Sequence, residues 1–227
     1  MFRHPVSFAG MRRWLLQFLL LVCISGSIAR ADEAGTAREQ GMRVVTFGTS
    51  LSARGGWQEP LAKELQRCLG ERVEVLDRSK SGASSNWGVN AFDDVVTLKP
   101  DIVLIEFAAN DAAFNRFLTL RRSAQNIAAI VEGIRSELPS VEIYLMAMSP
   151  VIGVRGWIRP FLNAYYASYA PLAQRLGVKF IDHRDDWARL SRRELADAIP
   201  DGGHPRPEIA ASIIVPRVAS AICVKGR

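Results

Sequence analysis

Histidine and cysteine are both scarce in this 227-residue chain, with three of each. A bound zinc or iron–sulfur centre needs clustered Cys, His or carboxylate ligands at short, regular spacings. His4, His183 and His204 stand far apart, and Cys23, Cys68 and Cys223 form no cluster. No metal and no cofactor is therefore expected. Internal repeats, low-complexity tracts and long runs of one charge are also missing, which argues against a solenoid or a charged tail. The formal net charge of +6 is concentrated in the leader: residues 1–31 hold Arg3, Arg12, Arg13 and Arg30 and no acid. The remainder carries 25 basic against 23 acidic residues. A net charge of about +2 leaves no electrostatic footprint for nucleic acid.

What is present at the front reads as an export signal. Arg12 and Arg13 supply a positive start, and Trp14 to Ile24 is an apolar core too short to span a bilayer comfortably. Ala29-Arg30-Ala31 has the small-x-small form of a cleavage site, so Asp32 is the expected new N-terminus. The expected organisation is a signal peptide over 1–31, a flexible leader over 32–41 and one domain over 42–227, periplasmic or secreted and without a membrane anchor after cleavage. Arg12-Arg13-Trp14-Leu15-Leu16 is compatible with Sec or twin-arginine export. An oxidising compartment permits a disulfide between Cys68 and Cys223. Two unlinked buried thiols fit the sequence equally well.

From residue 42 strands and helices alternate. Met42–Phe47, Val73–Leu76, Asp101–Phe107, Val141–Met146 and Val178–Asp182 have strand character, the third being nearly continuous and β-branched. Trp57, Leu61, Leu65 and Leu69 recur every four residues, and Ala124, Ile127, Val131, Ile134 and Leu138 line a second helix. Further helices are expected over Ala91–Leu98, Arg159–Leu176 and Pro207–Cys223. This alternation implies a single three-layer α/β/α flavodoxin-like domain around a five-stranded parallel sheet.

In such a sheet ligands bind at the C-terminal strand edge. The loops expected there carry Ser50, Ser81-Gly82, Asn110 and Asp201…His204. Acyl transfer needs a nucleophile, a base, an orienter of that base and donors for the oxyanion. Ser50, His204 and Asp201 fill the first three roles. The N–H groups of Ser50 and Gly82 and the amide of Asn110 are the available donors. Taken singly, each has a plainer reading: Ser50 as a helix N-cap, Gly82 as a turn residue, Asn110 as an Asx-turn. His183, among Asp182, Asp185 and Asp186, reads as part of a charged surface turn. Arg54, Trp87 and Trp157 are candidate substrate contacts, whereas Tyr165, Tyr166 and Tyr169 read as core.

Four blocks in order make the chain resemble the SGNH hydrolases, also called GDSL esterases and lipases. Gly48-Thr49-Ser50-Leu51 stands for the nucleophile block, Ser81-Gly82-Ala83-Ser84 for the second, Ala108-Ala109-Asn110-Asp111 for G-x-N-D, and Asp201-Gly202-Gly203-His204-Pro205 for D-x-x-H-P. Thr49 replaces the usual aspartate, Ala108 replaces a glycine, and Asp77 stands where asparagine is common. The resemblance implies a serine esterase acting on a small-molecule or polysaccharide ester through an acyl-enzyme. The absence of a long apolar insertion favours a small acyl group. Acyl transfer to a sugar hydroxyl on the same triad is the enzymatic alternative. A non-catalytic module binding an anion or carbohydrate at the Gly48–Gly56 turn is the non-enzymatic one.

Overall fold

A computed structural model of the protein describes residues 41–224. The expected signal peptide, and all of the expected leader but its last residue, lie outside the described residues. Strands β1 (Met42–Gly48), β2 (Val73–Asp77), β3 (Ile102–Glu106), β4 (Glu142–Ala147) and β5 (Lys179–Asp182) form one sheet in the order β2-β1-β3-β4-β5. Every adjacent pair is parallel. β3 lies at the centre and is buried at every position, as a strand covered on both faces must be.

Four long helices cover the sheet: α1 (Gln58–Leu69), α2 (Leu120–Glu137), α3 (Leu162–Leu176) and α4 (Pro207–Cys223). The β1-to-β2 connection runs outward one way along the sheet, and the β3-to-β4 and β4-to-β5 connections run the other. Right-handed crossovers therefore send α1 to one face and α2 and α3 to the opposite face. α2 packs on α3, and α4 returns to pack on α1. The stripe read in the sequence is the buried one: Trp57, Leu61 and Leu65 are wholly inaccessible. Cys68 and Cys223, at the C-terminal ends of α1 and α4, are joined by a disulfide with Cα atoms 6.1 Å apart.

Local differences from the sequence reading have local causes. Ala91–Leu98 contains only one regular turn, Asp93–Val96, within a run of turns. The aromatic helix starts at Leu162 rather than Arg159, after a separate short helix Gly153–Trp157. Arg192–Ala198 is a helix the apolar pattern did not reveal; its signal is the capping box formed by Ser191 and Glu194. The largest departure is His183, expected on the surface and found fully buried. Its charged neighbours turn outward, Asp182 pairing with Arg184 and Asp186 with Arg217. The imidazole is left inside, and neither nitrogen has a hydrogen-bond partner among the described residues. Burial, and then the nearby Arg217, lowers its pKa to about 4, against the opposing pull of Asp186 and Asp182.

Candidate active site

The strand order reverses between β1 and β3, and the crevice at their C-terminal ends is where this topology leaves room for a ligand. Gly48 ends β1 directly opposite Glu106, which ends β3. A Cβ on residue 48 would lie 2.3 Å from the Glu106 carbonyl oxygen and 2.4 Å from its carboxylate. Only glycine allows that approach, and the approach brings the next residues under the control of Glu106. The N–H of Thr49 donates to Glu106 Oε1 at 2.6 Å, its hydroxyl lies 3.0 Å from Oε2, and the Ser52 hydroxyl donates to Oε1 at 2.9 Å. Thr49 also caps the turn Ser50–Ala53, accepting from the Leu51 N–H. Ser50 is thereby held at the first position of a helical turn, half-buried, at the mouth of the crevice.

The other end of the chain meets it there. Ser50 Oγ lies 2.7 Å from His204 Nε2, across 154 residues of sequence. His204 Nδ1 lies 2.6 Å from Asp201 Oδ2, and Asp201 Oδ1 accepts the backbone N–H groups of Gly203 and His204. Partial desolvation opposes ionisation of Asp201. The His204 hydrogen bond and those two N–H donors outweigh it and hold the carboxyl well below the usual carboxylate range. The loop is fastened from the segment after β4: Ile152 N–H donates to the Gly202 carbonyl, and Arg155 Nε to that of Asp201.

Ser50, Gly82, Asn110 and His204 line one cleft of about 340 Å³. Gly82 sits at φ +78°, a conformation that favours glycine. Asn110, 8% exposed, donates one amide hydrogen to the Ala83 carbonyl at 2.7 Å and accepts at Oδ1 from Arg159. The amide carries a second hydrogen, and Asn110 lines the cleft. Ala108, where the sequence block has glycine in its relatives, is buried and not at positive φ, so its methyl is accommodated without backbone strain. Asp111, the last residue of the third block, ties that block to its neighbours. It accepts the Ser85 N–H at 2.8 Å and the Ser123 hydroxyl at 2.6 Å, and burial raises its pKa against those bonds.

Of the three candidate substrate contacts, Arg54 lines the cleft, and the tryptophans do not. Trp87 packs inward against Phe47 and Phe107, with ring centroids at 5.4 and 6.3 Å. Trp157 is 78% exposed. It ends the short helix Gly153–Trp157 and is not among the residues that line the cleft. Missed in the sequence were Glu106, Arg116, Arg155 and Arg159. Glu106 carried a signal, as an acid within the otherwise apolar run of residues 102–107. The arginines had none, because only folding brings them to one place.

Three solved structures illustrate how widely this architecture recurs. A lipase/acylhydrolase from Enterococcus faecalis is 20% identical with a TM-score of 0.67, covering 81% of this chain and 96% of its own. A GDSL-like lipase from Bacteroides thetaiotaomicron is 21% identical with a TM-score of 0.64, covering 82% and 89%. A catalytic mutant of an acetylxylan esterase from Geobacillus stearothermophilus is 17% identical with a TM-score of 0.66, covering 79% and 93%. At these identities the likeness is one of fold. No curated protein sequence matches the chain. The model of the GDSL-like Lipase/Acylhydrolase family matches residues 44–211, from β1 into α4, and on that match the chain belongs to this family of ester-hydrolysing serine hydrolases.

Proposed function

We propose that the protein is an exported serine esterase in which Ser50 is the nucleophile, His204 the general base and Asp201 the group that orients it. The observation that carries this reading is the continuous relay of 2.7 Å from Ser50 Oγ to His204 Nε2 and 2.6 Å from His204 Nδ1 to Asp201 Oδ2. Ser50 Oγ bonds to the ester carbonyl carbon while its proton passes to Nε2. The carbonyl oxygen becomes an oxyanion facing the Ser50 and Gly82 N–H groups and the Asn110 amide. Collapse expels the alcohol, which takes the proton from His204 and leaves an acyl-Ser50 ester. Water, deprotonated by His204, then releases the carboxylic acid and restores the serine.

The substrate is proposed to be a carboxylic ester with a small acyl group on a larger alcohol or sugar. The cleft is compact, and the acetylxylan esterase that shares the fold is named for an acetyl ester. Export is supported by the leader's composition and by the Cys68–Cys223 disulfide. Labelling with a fluorophosphonate followed by peptide mapping tests the nucleophile. Modification confined to Ser50, with loss of p-nitrophenyl acetate hydrolysis in Ser50→Ala, is expected. Labelling elsewhere, or an unchanged rate in Ser50→Ala, overturns the assignment. N-terminal sequencing of the exported protein should begin at Asp32.

A further inference from the structure

Once the leader is set aside the chain is nearly charge-balanced, yet its cleft is not. Among the described residues four arginines, Arg54, Arg116, Arg155 and Arg159, line it, and no Asp or Glu does. Of the four, only Arg155 reaches a carboxylate among the described residues. That carboxylate is Asp201 at 3.7 Å, already engaged by His204 and two backbone N–H groups. Arg159 is half-buried, and desolvation, then the neighbouring charges of Arg155 and Arg116, depress its pKa. Like charges that outnumber their counter-charges destabilise one another, and an anion entering the cleft relieves that cost.

The guanidinium groups of Arg116 and Arg159 are also held by hydrogen bonds. Arg159 donates to the carbonyls of Ala109 (2.7 Å) and Arg155 (3.0 Å) and to Asn110 Oδ1 (3.3 Å). Arg116 donates to the Gly82 carbonyl at 2.8 Å. Three of these acceptors, at Gly82, Ala109 and Asn110, belong to the segments that carry two of the proposed oxyanion donors, so the positive charge sits beside those donors. All four acceptors are neutral and cancel none of it. A guanidinium has five N–H donors, so both side chains retain donors suited to the forked recognition of phosphate or carboxylate. The oxyanion of the reaction has its own amide donors, which leaves the arginines for a second negative group.

We propose that the substrate is an anionic ester: a carboxylic ester carrying a phosphate or carboxylate next to the scissile bond, recognised by Arg54, Arg116 and Arg159. This rests on the Ser50–His204 reading and narrows its substrate class. The test compares kcat/KM within matched pairs. One pair is 1-acetylglycerol 3-phosphate against 1-acetylglycerol, and the other is an acetylated glucuronic acid against its methyl ester, with p-nitrophenyl acetate as the neutral reference. In at least one pair the charged member should be preferred about tenfold or more at low salt. That preference should shrink several-fold in 0.5 M NaCl, by screening. Arg54→Gln and Arg116→Gln should each lower the charged-to-neutral ratio about threefold or more. Preference in the phosphate pair alone assigns a phosphorylated alcohol, and preference in the carboxylate pair alone a uronate. Hydrolysis of p-nitrophenyl acetate with no preference in either pair overturns this inference and leaves the esterase standing. No hydrolysis of any ester and no labelling of Ser50 overturns both.

Discussion

Among single residues, Glu106 shows how one buried side chain organises a reactive one. It touches neither Ser50 nor the cleft, yet it accepts from the residue before Ser50 and from the residue two after it. Burial raises its pKa to about 7, against the hydrogen bonds from Thr49 and Ser52. Thr49 therefore has a structural role in the position where the family's usual aspartate stands. Glu106→Ala would strand the Thr49 N–H and two hydroxyls in the interior, at about 1–3 kcal/mol for each unsatisfied group. The expected outcome is a lowered denaturation midpoint together with weaker fluorophosphonate labelling of Ser50. Asn110 belongs to the same scale but a different step. If its second amide hydrogen meets the oxyanion, Asn110→Ala should cut kcat about 100- to 1,000-fold with KM nearly unchanged. Steady-state kinetics on p-nitrophenyl acetate check this, and an effect confined to KM would remove Asn110 from the transition state.

Among elements, the parts best legible in the sequence were those whose signal is local and repeated. The strand β3 and the helices α1 and α2 stood out because their apolar periods run for several turns or across a whole buried strand. Short helices such as Ser85–Gly88 and Arg184–Trp187 span about one turn, too few residues for a period to show. The four motif blocks located Ser50, Gly82, Asn110, Asp201 and His204, because each block is contiguous. The arginine set and the link from Asp111 to Ser85 and Ser123 were illegible for the opposite reason, since their members come from segments that meet only in the fold. The α1–α4 pair lies between these cases. The sequence left a Cys68–Cys223 pair and two unlinked thiols equally open, and the structure joins them across a separation of 155 residues. In the chain-entropy account a loop of that length corresponds to about 5 kcal/mol, with about 2–4 kcal/mol the usual measured range. Cys223→Ser should therefore lower unfolding stability by about 2–4 kcal/mol, measured by urea titration. The same variant should keep its kcat on p-nitrophenyl acetate, because neither cysteine touches the cleft.

At the scale of the whole molecule, two buried groups on different parts of the sheet set opposite responses to pH. Glu106 has its pKa raised from 4.5 to about 7. Between those values the native state holds a proton that the unfolded chain has released, so stability falls as pH rises. His183 has its pKa lowered from 6.5 to about 4. Between those values the unfolded chain binds a proton that the native state refuses, so stability falls as pH drops. Each shift corresponds to about 3 kcal/mol over its full window. From roughly pH 4.5 to 6.5 the windows overlap, and the proton Glu106 holds in the native state offsets the one His183 excludes. The two slopes cancel there, and removing either group should expose the other. Relative to the unaltered protein, Glu106→Gln should gain stability as pH rises from 4.5 to 6.5. His183→Phe should show the reverse, its advantage largest at the acid end. Urea unfolding of the protein and both variants at half-unit pH steps reads these differences directly. Parallel profiles for all three proteins would mean that neither group titrates in the interior as described.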